Sequence, residues 1–110
     1  MDTKIELVIR SGATYPPVTC TVKDQNGDAY NLSDVDTVTF TMYDGNGNKV
    51  DGESATIIDA SAGKIKYEWS ANDTDTSGMY SGYFTITFND GSVMIAPSGN
   101  VFKIYVERVE

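Results

Sequence analysis

The stretch "NDTDTSGMYSGYFTITF", residues 72–88, contains the pattern that decides the fold. In its second half, large apolar residues alternate with small or hydroxylated ones, so that Tyr80, Phe84 and Ile86 fall on one side of an extended chain. Its first half is rich in aspartate, threonine, serine and glycine, which are turn-forming residues. The stretch therefore predicts a turn that leads into a strand with one face packed on a core.

The same period of two recurs along the chain, and no helical stripe interrupts it. The residues expected to face the core are Ile5, Leu7, Ile9, Val18, Cys20, Val22, Val38, Phe40, Met42, Ile65, Tyr67, Trp69, Tyr80, Gly82, Phe84, Ile86, Phe88, Phe102, Ile104 and Val106. The threonines at 37, 39 and 41 alternate with core positions and are expected to face solvent. Turns are predicted at "DQNGD" (24–28), "DGNGN" (44–48), "ASAG" (60–63) and "NDG" (89–91).

These elements predict one domain over residues 1–110. About seven or eight short strands, with turn signals between them, are typical of an all-β, immunoglobulin-like antiparallel β-sandwich. A small barrel is the alternative architecture.

Charge and composition exclude several classes of function. Sixteen acidic and eight basic residues give a net charge of -8, which disfavours nucleic acid and anionic membranes as partners. The N-terminus has no signal-peptide pattern, and no apolar run is long enough to span a membrane. Cys20 is the single cysteine, and its position between Val18 and Val22 predicts a buried thiol rather than a reactive one.

Chemistry-bearing residues are scarce. Histidine is absent, which removes the commonest general base and a common zinc ligand, so we expect no enzymatic activity and no cofactor. The loop that starts at Asp44 has calcium-ligand spacing at first, but Ala55 stands where a bidentate glutamate is required. Asp73 and Asp75 are the remaining candidates for calcium, although such side chains more often cap turns without an ion.

Residues 76–82, "TSGMYSG", resemble the tyrosine corner of immunoglobulin-type domains. In that interpretation Gly78 takes an unusual backbone angle, the Tyr80 hydroxyl bonds to upstream backbone, and Gly82 leaves room beside Trp69. The cysteine and tryptophan framework of antibody-type domains is absent.

A wider resemblance covers roughly residues 14–107 and is carried by "NLSD" (31–34), "VTFTMYD" (38–44), "DASAGKIKY" (59–67) and "DTDTSGMYSGYFTITFNDGS" (73–92). In this order they resemble the N-terminal domain of phage baseplate upper proteins and the small tail or virion-associated proteins related to it. The resemblance implies a non-enzymatic structural protein of the virion, made in the host cytoplasm. It implies other virion structural proteins as partners and leaves a homo-oligomer open. Members of that family continue beyond this domain, so a chain that stops at Glu110 is expected to act as a standalone adaptor or decoration module.

Two further functions remain as alternatives. One is a carbohydrate-binding or adhesive immunoglobulin-like domain on a phage or bacterial surface. It would need an exposed aromatic platform, and the only tryptophan, Trp69, is predicted to lie in the core. The other is a bacterial surface-protein repeat, which would normally have neighbouring repeats.

Three tyrosines form the candidate interaction face. By parity Tyr43, Tyr83 and Tyr105 point outward from strands that neighbour one another in such a sandwich. Tyrosine supplies a large contact area at a low entropy cost, which favours docking. The alternative is that the three are separate cross-strand residues that only stabilise the sheet.

Overall fold

The computed structural model describes residues 7–24, 26–70, 72–96 and 102–108, and all regular elements among them are strands. The nine strands are β1 (Leu7–Arg10), β2 (Val18–Thr21), β3 (Val35–Asp44), β4 (Gly47–Ser54), β5 (Thr56–Asp59), β6 (Lys64–Tyr67), β7 (Gly78–Phe88), β8 (Val93–Ala96) and β9 (Phe102–Glu107). The expected strand count of seven or eight was slightly low, because β4 has a single buried residue, Val50, and so shows no alternation in the sequence.

The strands form two sheets. The large sheet has the order β1-β9-β7-β3-β4, with β8 also paired to β7, and the small sheet has the order β2-β6-β5. Pairing is antiparallel throughout except between β1 and β9, which run parallel. The predicted all-β sandwich is confirmed.

Both sheets bury one face against the other. Phe40 of β3, Phe84 of β7 and Ile65 of β6 are completely buried, and Phe40 stacks on Tyr67 across the interface with ring centroids 4.9 Å apart. Trp69 packs edge-on against Phe40. The alternation seen in the sequence therefore correctly identified most of the core, although Leu7, Phe88 and Phe102 are only partly buried against it. Ile5 lies outside the described residues.

Two further predictions of side-chain burial, for Thr41 and Cys20, need correction. Thr41 was expected to face solvent but is only 7% exposed. The register of β4 against β3 shifts on both sides of Met42, and the backbone N–H of Gly52 donates a 3.2 Å hydrogen bond to the Thr41 hydroxyl. Cys20 was expected to be buried but is only partly so, since β2 is an edge strand of the small sheet.

The predicted turns form. The backbone N–H of Asn46 bonds the Asp44 carboxylate at 2.9 Å in the β3–β4 hairpin, and that of Ser92 bonds Asp90 at 2.9 Å in the β7–β8 hairpin. Aspartate in such turns satisfies backbone donors without an ion.

Candidate interaction surface

The solvent-facing side of the large sheet is called here the outer face. Its members are the residues that alternate with the core positions on five adjacent strands and that pair with one another across the sheet. They are Val8 and Arg10 on β1, Lys103, Tyr105 and Glu107 on β9, Met79, Ser81, Tyr83, Thr85 and Thr87 on β7, Val93 and Ile95 on β8, and Thr37, Thr39 and Tyr43 on β3, together with the buried Thr41.

The three predicted tyrosines all lie on this face, but they do not form one cluster. The rings of Tyr43 and Tyr83 meet edge to face with centroids 6.2 Å apart. Tyr105 lies on the other side of β7, where its backbone pairs with that of Met79. Tyr43 and Tyr83 are half-buried, and Tyr105 is 36% exposed. Two of the three thus form a cross-strand pair of the stabilising kind, and the third belongs to a different patch.

That second patch consists of three apolar side chains in a row across β1, β9 and β7. The backbone of Tyr105 pairs with Val8 on one side and with Met79 on the other. Val8 is 48% exposed and Met79 50% exposed. On β8, Val93 and Ile95 are also exposed. Sequence reasoning did not name these four aliphatic residues, although strand parity places Met79 opposite to Tyr80 and could have identified it.

Charge is distributed unevenly around the molecule. The chain has sixteen acidic residues, yet none of the outer-face positions on β3, β7 or β8 is acidic. The charged outer-face residues lie on β1 and β9: Arg10 pairs with Glu107, and the Lys103 ammonium donates a 3.0 Å hydrogen bond to the Ser81 hydroxyl. The centre of the face is a ladder of threonine pairs, Thr39 with Thr85 and Thr37 with Thr87. The β3, β7 and β8 part of the outer face therefore has no acidic side chain, although the protein as a whole is acidic.

The tyrosine corner at the start of β7 forms as expected. The Tyr80 hydroxyl donates a 2.8 Å hydrogen bond to the backbone carbonyl of Thr76. Gly78 has a φ of 150°, which side chains of L-residues rarely allow. The corner therefore fixes how the chain enters the central strand of the large sheet.

Gly82 was expected to leave room beside Trp69, and that detail is wrong. A Cβ atom on Gly82 would lie 2.9 Å from Cζ of Phe40 and 3.0 Å from Cδ1 of Ile104. Because β3 and β9 flank β7 on opposite sides, Gly82 makes space for one side chain from each of these neighbours.

The two aspartates considered as calcium ligands have protein partners. Asp73 is buried and accepts hydrogen bonds from the Tyr67 hydroxyl at 2.5 Å and from the Ser70 backbone N–H at 2.8 Å. Asp75 forms an ion pair with Lys49, and this contact holds the pKa of the Asp75 carboxyl below its usual value. Within the described ranges, no three histidine, cysteine, aspartate or glutamate side chains are grouped to hold a metal ion.

Unlike the Lys49–Asp75 ion pair, the Tyr67–Asp73 hydrogen bond joins two buried residues. It links the end of β6 to the tyrosine corner. Burial, together with the adjacent carboxylate, raises the pKa of the Tyr67 phenol, so that it remains a proton donor to Asp73. The carboxylate therefore acts as a structural acceptor.

Cys20 and Trp69 also have clear environments. Partial burial raises the pKa of the Cys20 thiol to about 11, which makes it a poor nucleophile. Trp69 is 6% exposed, and its indole N–H donates to the Pro16 carbonyl at 2.9 Å. The prediction that Trp69 lies in the core is confirmed.

Comparison with known proteins gives a match in structure. No protein-family model matches the sequence, and no curated protein matches it. Among solved structures, the N-terminal domain of phage TP901-1 ORF48 superposes with a TM-score of 0.63 at 24% identity, covering 94% of this chain and 85% of that one. The fold is similar to that of a phage domain. This similarity extends over nearly the whole chain and confirms the fold expected from the resemblance in sequence.

In the part of the chain that the structure describes, no helix has the length and apolar character needed to cross a membrane.

Proposed function

We propose that this chain is a non-enzymatic structural protein of a phage virion, in the tail or baseplate or as an adaptor or decoration module. It binds other virion proteins through the outer face of its large sheet. The observation that carries the proposal is the similarity of fold to the phage TP901-1 ORF48 domain over 94% of the chain.

The surface chemistry of the outer face supports docking. Burying a carboxylate at an interface is costly unless a partner compensates it, and the cores of protein interfaces are depleted in charged residues. The threonine ladder of β3 and β7 can be desolvated without that penalty, because no carboxylate lies within it. The exposed aliphatic side chains of β8, beside the ladder, and the row of Val8, Tyr105 and Met79, farther along β7, add apolar contact area.

The experiment places a carboxylate in the middle of this face. Thr39→Glu changes a half-buried outer-face residue, and Thr19→Glu makes the same change at an exposed site on β2 of the small sheet. Each variant is supplied in trans to a phage whose own copy of the gene is disrupted, and purified particles are analysed by quantitative mass spectrometry.

We expect the wild-type chain and Thr19→Glu to be present in particles and Thr39→Glu to be depleted at least about tenfold, as expected for burial of one unpaired charge. Absence of the wild-type chain from particles would contradict the structural role. Normal incorporation of Thr39→Glu would contradict the assignment of the outer face.

A further inference from the structure

A cavity lies at one end of the sandwich, away from the tyrosine corner. It is a cleft of about 560 Å³ between residues 30–34 and residues 88–94 of the β7–β8 hairpin. Its volume lies in the range of small-molecule sites. From its lining we infer that this cleft binds a neutral saccharide, a function independent of virion assembly.

Two aromatic rings form the apolar part of the cleft. Tyr30 and Phe88 are both half-buried, and their ring centroids lie 6.0 Å apart at an interplanar angle of 53°. The face of an aromatic ring carries negative charge density, and the C–H groups on one side of a sugar ring are weakly positive, so the two surfaces attract. Tilted rings also offer a concave apolar surface, which a flat sheet face does not.

Polar residues form the rest of the cleft lining. The polar residues that line the cleft are Asn31, Asp34, Asn89, Asp90 and Ser92, whose side chains carry amides, carboxylates and a hydroxyl. Amides and hydroxyls both donate and accept, and carboxylates accept strongly. A sugar presents several hydroxyls that each donate and accept, so this mixed set matches it. Hydrogen bonds that Asp90 accepts from Ser92 lower the pKa of its carboxyl, which stays an ionised acceptor at neutral pH.

Backbone hydrogen bonds hold the two walls in place. The N–H of Asn89 donates to the Asp34 carbonyl at 2.8 Å, which joins one wall to the other. The N–H of Phe88 bonds the Ser92 carbonyl at 2.8 Å and closes the hairpin. A preformed site avoids much of the entropy cost of ordering loops on binding.

Other classes of ligand fit less well. No lysine or arginine lines the cleft, and two carboxylates would repel phosphate or any other anion. A cationic group would use the carboxylates and rings but would leave the amide donors of Asn31 and Asn89 without acceptors. The neutral saccharide uses both kinds of group.

The test uses the isolated chain and saturation-transfer NMR with maltose, cellobiose and N,N′-diacetylchitobiose, each at up to about 10 mM, a range that detects weak sites. Tetramethylammonium at the same concentration is the cationic probe. Tyr30→Leu removes one ring but keeps apolar packing, and Asn89→Ala removes an exposed amide while the backbone bond to Asp34 remains. Tyr105→Leu, on the outer face, is the matched control.

We expect at least one disaccharide to bind, with affinity reduced about tenfold by Tyr30→Leu and about fivefold by Asn89→Ala. Tyr105→Leu should bind as the wild type does. The inference is overturned if no disaccharide binds, if only tetramethylammonium binds, or if folded Asn89→Ala binds with unchanged affinity. Because no other virion protein is present, none of these results bears on the docking role of the outer face.

Discussion

Replacing Gly82 by alanine adds one methyl group at a point that two buried side chains already occupy. The added Cβ would lie 2.9 Å from Cζ of Phe40, 3.2 Å from its Cε1 and 3.0 Å from Cδ1 of Ile104. Contacts under 3.0 Å require a shift of one partner. Phe40 cannot move freely, because it is completely buried and its ring contacts three other aromatic rings.

The size of the effect follows from two opposing contributions. Overpacking a well-filled core costs about 1–3 kcal/mol. Alanine also lowers the entropy of the unfolded chain, which stabilises the fold by about 0.4–1 kcal/mol. Gly82 does not have a positive φ, so its backbone accepts alanine without strain. The net expectation is a loss of roughly 1–2 kcal/mol in the free energy of unfolding, or about 4–8 °C in Tm for a domain of this size.

Gly45→Ala is the matched control, since Gly45 also lacks a positive φ and has no atom within 4 Å of the position of an added Cβ. Both variants change the unfolded chain in the same way, so the difference between them reports the close contact alone. Urea unfolding with an unchanged m-value should give Gly45→Ala within about 0.5 kcal/mol of the wild type. If Gly82→Ala is as stable as Gly45→Ala, the proposed close approach of β3 and β9 to β7 is refuted.

Three further predictions concern single side chains. Asp73→Ala leaves the buried Tyr67 hydroxyl without its acceptor and should cost about 2–4 kcal/mol in urea unfolding; a loss below about 1 kcal/mol would contradict the structural role of this carboxylate. Tyr80→Phe removes the hydroxyl of the tyrosine corner and should cost about 1 kcal/mol, whereas Tyr83→Phe on the outer face should cost almost nothing; equal values would show that the corner bond contributes nothing. The pKa of about 11 for Cys20, against 9.0 for an ordinary thiol, leaves less thiolate at pH 8, so iodoacetamide should alkylate the native protein about a hundredfold more slowly than the urea-unfolded chain. Equal rates in the two states would contradict the raised pKa.

Much of the fold follows from alternation alone, because a half-buried strand must repeat with a period of two. The alternation around Phe40, Phe84 and Ile65 correctly predicted which faces of β3, β7 and β6 pack on the core. The corner was also predictable, since the spacing between Gly78 and Tyr80 is local.

Features that depend on register were not predictable. The burial of Thr41 requires the shifted pairing of β4, which places the Gly52 N–H against its hydroxyl. The neighbours of Gly82 depend on which strands flank β7. The parallel pairing of β1 with β9 joins strands from opposite ends of the sequence, so no local sequence pattern could predict it.

The candidate surfaces were predictable only in part, for the same reason. Parity placed the three tyrosines outward, but their separation into a Tyr43–Tyr83 pair and a distant Tyr105 depends on the strand order. The cleft joins Tyr30 to Phe88, which are far apart in the sequence. Each residue alone resembles an ordinary turn or strand-end position, so only the folded arrangement reveals the site.

The most direct test of the central claim is lysine acetylation of intact phage particles compared with the isolated chain. Lys103 lies on the outer face, and Lys64 is exposed on β6 of the small sheet. If the outer face is docked against another virion protein, Lys103 should be acetylated in the isolated chain and protected in particles, while Lys64 reacts in both. Equal acetylation of Lys103 in particles and in the isolated chain would contradict docking through this face.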